Sequence, residues 1–258
     1  MVCRPDPRFR TVGLAALARG VILECIDFTS QPSVDGDMRT VVESRDFGPA
    51  CGTRAATLTL LGGRPCLDFT NTAHGRGTES HTDHLVDYAA LVAWSRHASV
   101  LDGSHAEALL ARAARHPRAA EATRRRAIEL REAMHRHFTA LAHARKPDAA
   151  DLAEINQALA AALPHARVAP AKAGFQWAWD ESEPAFDRML WPIVRSAADL
   201  LTADELVRVK QCAGCDCGWL FLDLSKNGSR RWCEMEVCGS RAKARAYYAR
   251  RKAAAGEH

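Results

Sequence analysis

Two short stretches decide how this chain reads: Cys212-Ala213-Gly214-Cys215-Asp216-Cys217 and, fifteen residues on, Cys233-Glu234-Met235-Glu236-Val237-Cys238. Two groups of thiols joined by a short connector match what a tetrahedral zinc ion takes. On spacing alone the first group stays open. Cys212-x2-Cys215 is the commoner knuckle, while Cys212-x4-Cys217 mirrors the second pair, Cys233-x4-Cys238. Either way four protein ligands leave no free coordination position, so the metal is expected to be structural Zn2+ rather than catalytic. The fifth thiol of the cluster admits a redox role, because it can exchange with an oxidised neighbour.

Around the cysteines the pattern is that of a small module. Trp219–Asp223 reads as a strand, Asn227-Gly228 as a tight turn and Arg230–Cys233 as the partner strand. Gly239-Ser240 leads into an Ala/Arg/Lys helix ending near Ala255. A unit of about forty residues has too small a core to fold alone, and metal binding would supply what is missing.

From Arg208 to Lys252 eleven Lys/Arg face four acids, Asp216, Asp223, Glu234 and Glu236. That segment carries +7, so the rest of the +4 chain carries −3. Positive charge gathered on one module is the footprint of phosphate binding. Arg241, Lys243, Arg245, Arg250 and Arg251 are the candidate contacts on the helix, with Arg241 and Arg245 one turn apart, and Arg230 and Arg231 flank the turn. Tyr247 and Tyr248 read as packing groups before they read as base-stacking ones.

Upstream the chain is mostly helical. Residues 1–55, broken by Pro5, Pro7, Pro32 and Pro49, read as a poorly structured extension with at most a short helix over Val12–Ile26. Thr57–Leu61, Gly62-Gly63 and Pro65–Phe69 read as a hairpin. Asp68 and Asn71 then read as turn or cap groups. Helices follow from Thr82 or Asp83 (with Leu85, Tyr88, Ala89 and Val92 in helical period), over Ser104–Arg115, over Arg118–His143, and from Asp148 to Pro164. Phe175, Trp177 and Trp179 alternate, which predicts a strand over Gly174–Asp180 paired with Ala166–Ala169. Pro184–Leu201 returns to helix, with Pro192 expected to kink or split it, and Ala203–Lys210 is a short helix capped by Thr202. The fold class is α+β, mainly α: a helical domain with a small antiparallel sheet over residues 56–205 and a four-cysteine zinc module at 206–255.

No catalytic set emerges, and the chain does not read as an enzyme. His81, Asp83 and His84, like His135 and His137, lack the i, i+4 spacing of a helical metal pair with a glutamate. Gly75-Arg76-Gly77 lacks the third glycine of a phosphate loop. Trp177 and Trp179 read as core. No apolar run approaches the roughly eighteen residues of a membrane span. Clustered cysteines in a chain this long suit the reducing cytoplasm.

The stretch Cys212 to Asp223, then Ser225-Lys226-Asn227-Gly228-Ser229-Arg230-Arg231-Trp232-Cys233, then Cys238-Gly239-Ser240-Arg241-Ala242-Lys243 closely resembles the CGNR zinc finger. Leu61-Gly62-Gly63-Arg64-Pro65-Cys66-Leu67-Asp68-Phe69-Thr70-Asn71-Thr72, with Leu85 to Trp94 beyond it, is similar to the opening of the ABATE domain that commonly precedes that finger. The resemblance implies a bacterial transcription regulator tied to stress, with Cys212, Cys217, Cys233 and Cys238 as ligands and double-stranded DNA as partner. The larger domain would sense a small-molecule effector or self-associate as a homodimer. A zinc-stabilised protein- or RNA-docking module is the alternative. Ser240 stands where the family name carries Asn, and either residue is expected to cap the following helix.

Overall fold

The computed structural model describes residues 54–180 and 185–255, the last three by backbone alone. Apart from Arg54 and Ala55, the extension read over residues 1–55 lies outside the described residues, as does the helix read over Val12–Ile26. The described residues fall within one compact unit, Asp46–His258.

Six helices build the larger part: α1 Pro65–Thr70, α2 Tyr88–His97, α3 Gly103–Arg115, α4 Pro117–Ala142, α5 Ala149–Ala162 and α6 Leu190–Leu201. Their starts follow local chemistry. Asp87, Asp102 and Asp148 each accept a backbone N–H of the first turn, and Pro65 and Pro117 sit where a missing N–H costs nothing. Apolar faces of these helices meet in one core around Phe69, Trp94, Leu130, Met134, Phe138, Ile155 and Ile193. The α4 helix is the spine, lying against α1, α2, α3 and α5.

Three two-stranded antiparallel sheets decorate this bundle: β1 Ala73–His74 with β2 Thr82–Asp83, β3 Ala166–Pro170 with β4 Phe175–Trp179, and β5 Val209–Gln211 with β6 Leu220–Leu222. The β3–β4 pairing predicted from alternation is present, in the register Ala166↔Trp179 to Pro170↔Phe175. Trp179 packs near Trp191, as expected of core, but Trp177 is half exposed beneath the Arg195 guanidinium, 3.8 Å above its ring.

Several boundaries differ from the sequence reading, each for a local reason. Pro65–Phe69 is helix, not a return strand: Pro65 opens α1, and Asp68 accepts the Gly62 N–H at 2.7 Å, folding the Gly62-Gly63 turn back onto the helix. The next helix begins at Tyr88 because Thr82 and Asp83 are drawn into β2. Pro192 neither kinks nor splits α6, since it falls in the first turn, where its ring has no preceding carbonyl to strike. Ala203–Lys210 is a single 3₁₀ segment, Asp204–Arg208, running straight into β5. The partner of β6 is β5 rather than Arg230–Cys233, which is loop.

The β1–β2 hairpin is fastened to α4 by buried charge. Arg131, 1% exposed, donates to both Asp83 oxygens at 2.8 and 2.7 Å, to Thr72 and to Glu132. Arg76 donates to Glu132 and to the Thr70 and Ala73 carbonyls. Asp83 is thus an ion-pair partner, and burial, which disfavours its charge, is outweighed by Arg131, leaving its carboxyl below the usual range.

The β5–β6 hairpin has two faces, as alternation along a strand requires. Leu220, Leu222 and Val209 enter the core of the helical bundle, while Phe221 turns the other way and packs with Cys212, Cys233 and Cys238. Apolar burial against the bundle therefore supports the cysteine module alongside the metal.

Candidate metal centre and basic helix

The outer edge of β6 is clamped by the glycine-rich opening of the bundle. The Asn71 side chain accepts the Leu220 N–H and donates to the Leu220 carbonyl, both at 2.8 Å. One residue pair further, the Leu222 N–H donates to the Gly62 carbonyl at 2.8 Å. Asn71 and Gly62 thus stand in for a third strand. Gly75 adds an N–H to the Cys217 carbonyl at 3.1 Å, and His135 bonds the Gly218 carbonyl at 2.9 Å. Asn71, read from sequence as a turn group, holds one module to the other. So does the Gly75-Arg76-Gly77 loop, whose Gly75 has φ +64° and whose added Cβ would strike the Ser80 carbonyl at 2.6 Å.

Inside the module Asp223, fully buried, organises the connector between the cysteine pairs. It accepts from the Ser225 N–H and hydroxyl, the Arg230 N–H and the Lys210 ammonium. Burial opposes its charge, but these donors hold the carboxyl well below the usual carboxylate range. The Arg230 guanidinium turns inward as well: it donates to the Trp232 and Cys233 carbonyls and lies 4.3 Å above the Phe221 ring.

This scaffold brings the sulfurs of Cys212, Cys217, Cys233 and Cys238 within 4.8 Å of one another. It is the only such group found among the described residues. Cys217 to Cys233 and Cys233 to Cys238 are each 3.6 Å. A zinc tetrahedron with Zn–S bonds of about 2.3 Å has sulfur–sulfur edges of about 3.8 Å, so the spacing suits the ion. Cys212 Sγ also accepts the Cys233 N–H at 3.3 Å and the Gly214 N–H at 3.5 Å, as a thiolate would. Gly214 lies close against the cluster: a Cβ there would sit 3.3 Å from Cys217 Cβ and 3.4–3.5 Å from the Cys238 and Cys212 sulfurs.

The electrostatics call for a cation. Hydrogen bonds from Cys217 and Cys233 draw the Cys212 thiol far below its ordinary range. The same interaction with Cys212 pushes Cys217 up to about 12, and Cys233 and Cys238 are raised too. The Cys212 thiolate holds back ionisation of Cys217 and Cys233, and burial before it that of Cys238; a positive ion among the four would favour the thiolate form of all of them. The four sulfurs form a site able to bind a structural zinc ion. Cys215 stands apart, exposed, with its sulfur outside the group.

A π-helical turn, Met235–Gly239, carries Cys238 and runs without a break into α7, Ser240–Ala255. Ser240 therefore has helical angles and donates to the Met235 carbonyl at 3.3 Å; the capping role expected of it has no free helix end to serve. The α7 sequence holds six cations and no acid. From Arg241 to Lys252 every residue but Ala242 is exposed. Tyr247 and Tyr248 pack on each other at the surface and not on the bundle. Arg245 pairs with Asp216 at 2.9 Å, and Arg241 faces the finger's own cleft. At 100° per residue, Lys243 and Arg250 lie on the side of the helix opposite Arg241 and Arg245, with Arg251 between. Arg231 is exposed at the root of the helix, over the Trp232 ring.

Residues 63–204 match the ABATE family, described as "Putative stress-induced transcription regulator", and residues 208–251 match the CGNR zinc finger. No curated protein matches the chain. No described helix is long and apolar enough to cross a membrane. With the first match covering more than half of the sequence and the second coinciding with the sulfur cluster, the chain belongs to the ABATE family and carries a CGNR zinc finger behind its helical domain.

Proposed function

We propose that this protein is a zinc-dependent, DNA-binding transcription regulator in which α7 meets the DNA and the helical domain, residues 56–205, governs it. The observation that carries this reading is α7 itself: six positive charges with no acid, exposed along its length, rooted in the π-helical turn that carries Cys238. A helix without an apolar stripe has no fold-stabilising reason to be basic throughout, whereas a polyanion gives it one. Cys212, Cys217, Cys233 and Cys238 are the zinc ligands in this reading, and the ion fixes the angle at which α7 leaves the finger.

Among the basic residues the roles divide. Lys243 and Arg250, on the side of α7 opposite Arg241 and Arg245, take the phosphates together with Arg251 between the two sides and Arg231, exposed over the Trp232 ring. Arg245 joins them by exchanging Asp216 for DNA, an exposed pair that is weak in water. Arg241 faces the cleft, and Arg230 serves the finger's interior. The test is genome-wide mapping of bound sites for the wild type and a Lys243→Ala/Arg250→Ala/Arg251→Ala variant. Discrete sites lost in the variant support the reading; identical maps would remove α7 from the interface. Wild-type signal on RNA or on a protein partner alone would establish a docking module instead.

A further inference from the structure

A cavity of about 320 Å³ lies between the helical domain and the finger. Arg54, Thr59 and His74 form one wall. Arg241, Ala242 and Arg245 of α7 form the facing wall, and Trp219, Val237 and the outer side of the cysteine cluster complete it. Its size is that of a small-molecule site rather than of a packing defect.

The charges gathered there are of one sign near His74. Arg54, His81, Arg241 and Arg76 all act on its imidazole, and all of them disfavour its protonation, in addition to the larger effect of burial. Arg76 is neutralised by Glu132, and Arg245 by Asp216. Arg54 and Arg241 have no carboxylate partner among the described residues. The remaining carboxylate on the lining is Glu234, at the foot of the π-helical turn. Trp219, on the same lining, has a buried indole N–H without an acceptor among the described residues.

The geometry points to a binding site for a small phosphate-bearing ligand, held by Arg54 and His74 on the helical domain and by Arg241 on α7. Such a ligand bridges the two modules. Apart from the π-helical turn at its root, α7 has few contacts with the rest of the chain. A phosphate joining Arg241 to Arg54 would pin its first turns to the domain behind it. The inference rests on the proposed function only for its consequence, that occupancy sets the pose of the DNA-contacting helix. The site stands or falls by itself. A rival account of the same arginines exists in the zinc centre: four thiolates around Zn2+ leave a charge of −2, which Arg54 and Arg241 would balance.

The experiment is calorimetric titration of inorganic pyrophosphate into the zinc-loaded full chain at fixed ionic strength. Wild type, Arg54→Ala, Arg241→Ala and, as a surface control, Arg118→Ala are compared, with zinc content measured for each. The expected result is saturable one-to-one binding by wild type and Arg118→Ala, weakened at least tenfold in both cleft variants with zinc retained. Absence of saturable binding to wild type, or equal binding by all four proteins, overturns the site. Zinc loss from Arg54→Ala together with no binding to wild type establishes the charge-balancing role instead. Duplex DNA binding is measured in parallel. Arg54 is not a proposed DNA contact, so pyrophosphate binding without DNA binding refutes the regulator reading alone, and the converse refutes the cleft alone.

Discussion

Replacing Asn71 with Ala should separate the finger from the helical domain without touching its metal. Asn71 is 1% exposed, and its amide makes both of its bonds to Leu220, accepting the N–H and donating to the carbonyl at 2.8 Å each. Leu220 is itself fully buried, so water cannot replace either partner. A buried donor or acceptor left unpaired costs about 1–3 kcal/mol, so two cost about 2–6 kcal/mol. That is a large part of the roughly 5–15 kcal/mol by which a domain is stable. Urea unfolding of the zinc-loaded protein, followed by tryptophan fluorescence, measures the loss; Thr57→Ala, at an exposed hydroxyl, is the control. Native-state hydrogen exchange should show the Leu220 N–H losing protection first. Zinc should stay at one equivalent, because the sulfurs lie on the Phe221 side of the hairpin and Asn71 on its edge. An unfolding free energy within about 0.5 kcal/mol of wild type, with Leu220 still protected, would refute the clamp.

Cys217→Ser should lose zinc in a colorimetric assay after purification, while Cys215→Ser should retain one equivalent, since only the first sulfur belongs to the cluster. His135 makes stability pH-dependent. Burial, aided by Arg76, lowers its pKa from 6.5 to about 4, so the unfolded chain takes up a proton that the folded chain refuses. Its contribution is complete above pH 6.5 and lost as pH falls toward 4, about 2 kcal/mol between pH 7 and pH 5. Asp68, raised by burial to about 6, works in the opposite sense over that range and is common to both proteins compared. At saturating zinc His135→Gln should therefore flatten the acid limb of a melting-temperature profile, and an unchanged limb would show that His135 is protonated in the fold. Arg131→Ala should cost about 2–4 kcal/mol by thermal unfolding, because it empties a buried site and removes the donors that hold Thr72 and the partly exposed Asp83 against α4.

How much of this was legible in the sequence depended on how local the signal was. The cysteine spacing, the helix start at Asp148, the β3–β4 alternation and the acid-free stretch from Arg241 to Lys252 are decided within a few residues, and the structure shows each of them. What the sequence hid was pairing at long range. Leu220–Leu222 looked for a partner downstream because Asn227-Gly228 promised a hairpin. The partner lies upstream at Val209–Gln211, and the loop is held instead by the buried Asp223. Asn71 looked like a turn residue because Asn so often is; its clamp spans 149 residues, which no periodicity reports. Arg230 looked like a phosphate contact by charge alone, yet its neighbours' carbonyls and the Phe221 ring engage it. The tyrosines of α7 looked like packing groups, but they stay half or more exposed and meet each other rather than the bundle.

The measurement that tests the account most directly is a fluorescence-anisotropy titration of the zinc-loaded protein into labelled duplex DNA carrying a mapped site, across a range of salt concentrations and again after chelation. With the five phosphate contacts assigned to Arg231, Lys243, Arg245, Arg250 and Arg251, the logarithm of affinity should fall against the logarithm of salt with a slope of about −4.5. Binding should vanish when the zinc is removed. A slope near zero, or undiminished binding by the metal-free chain, would contradict it.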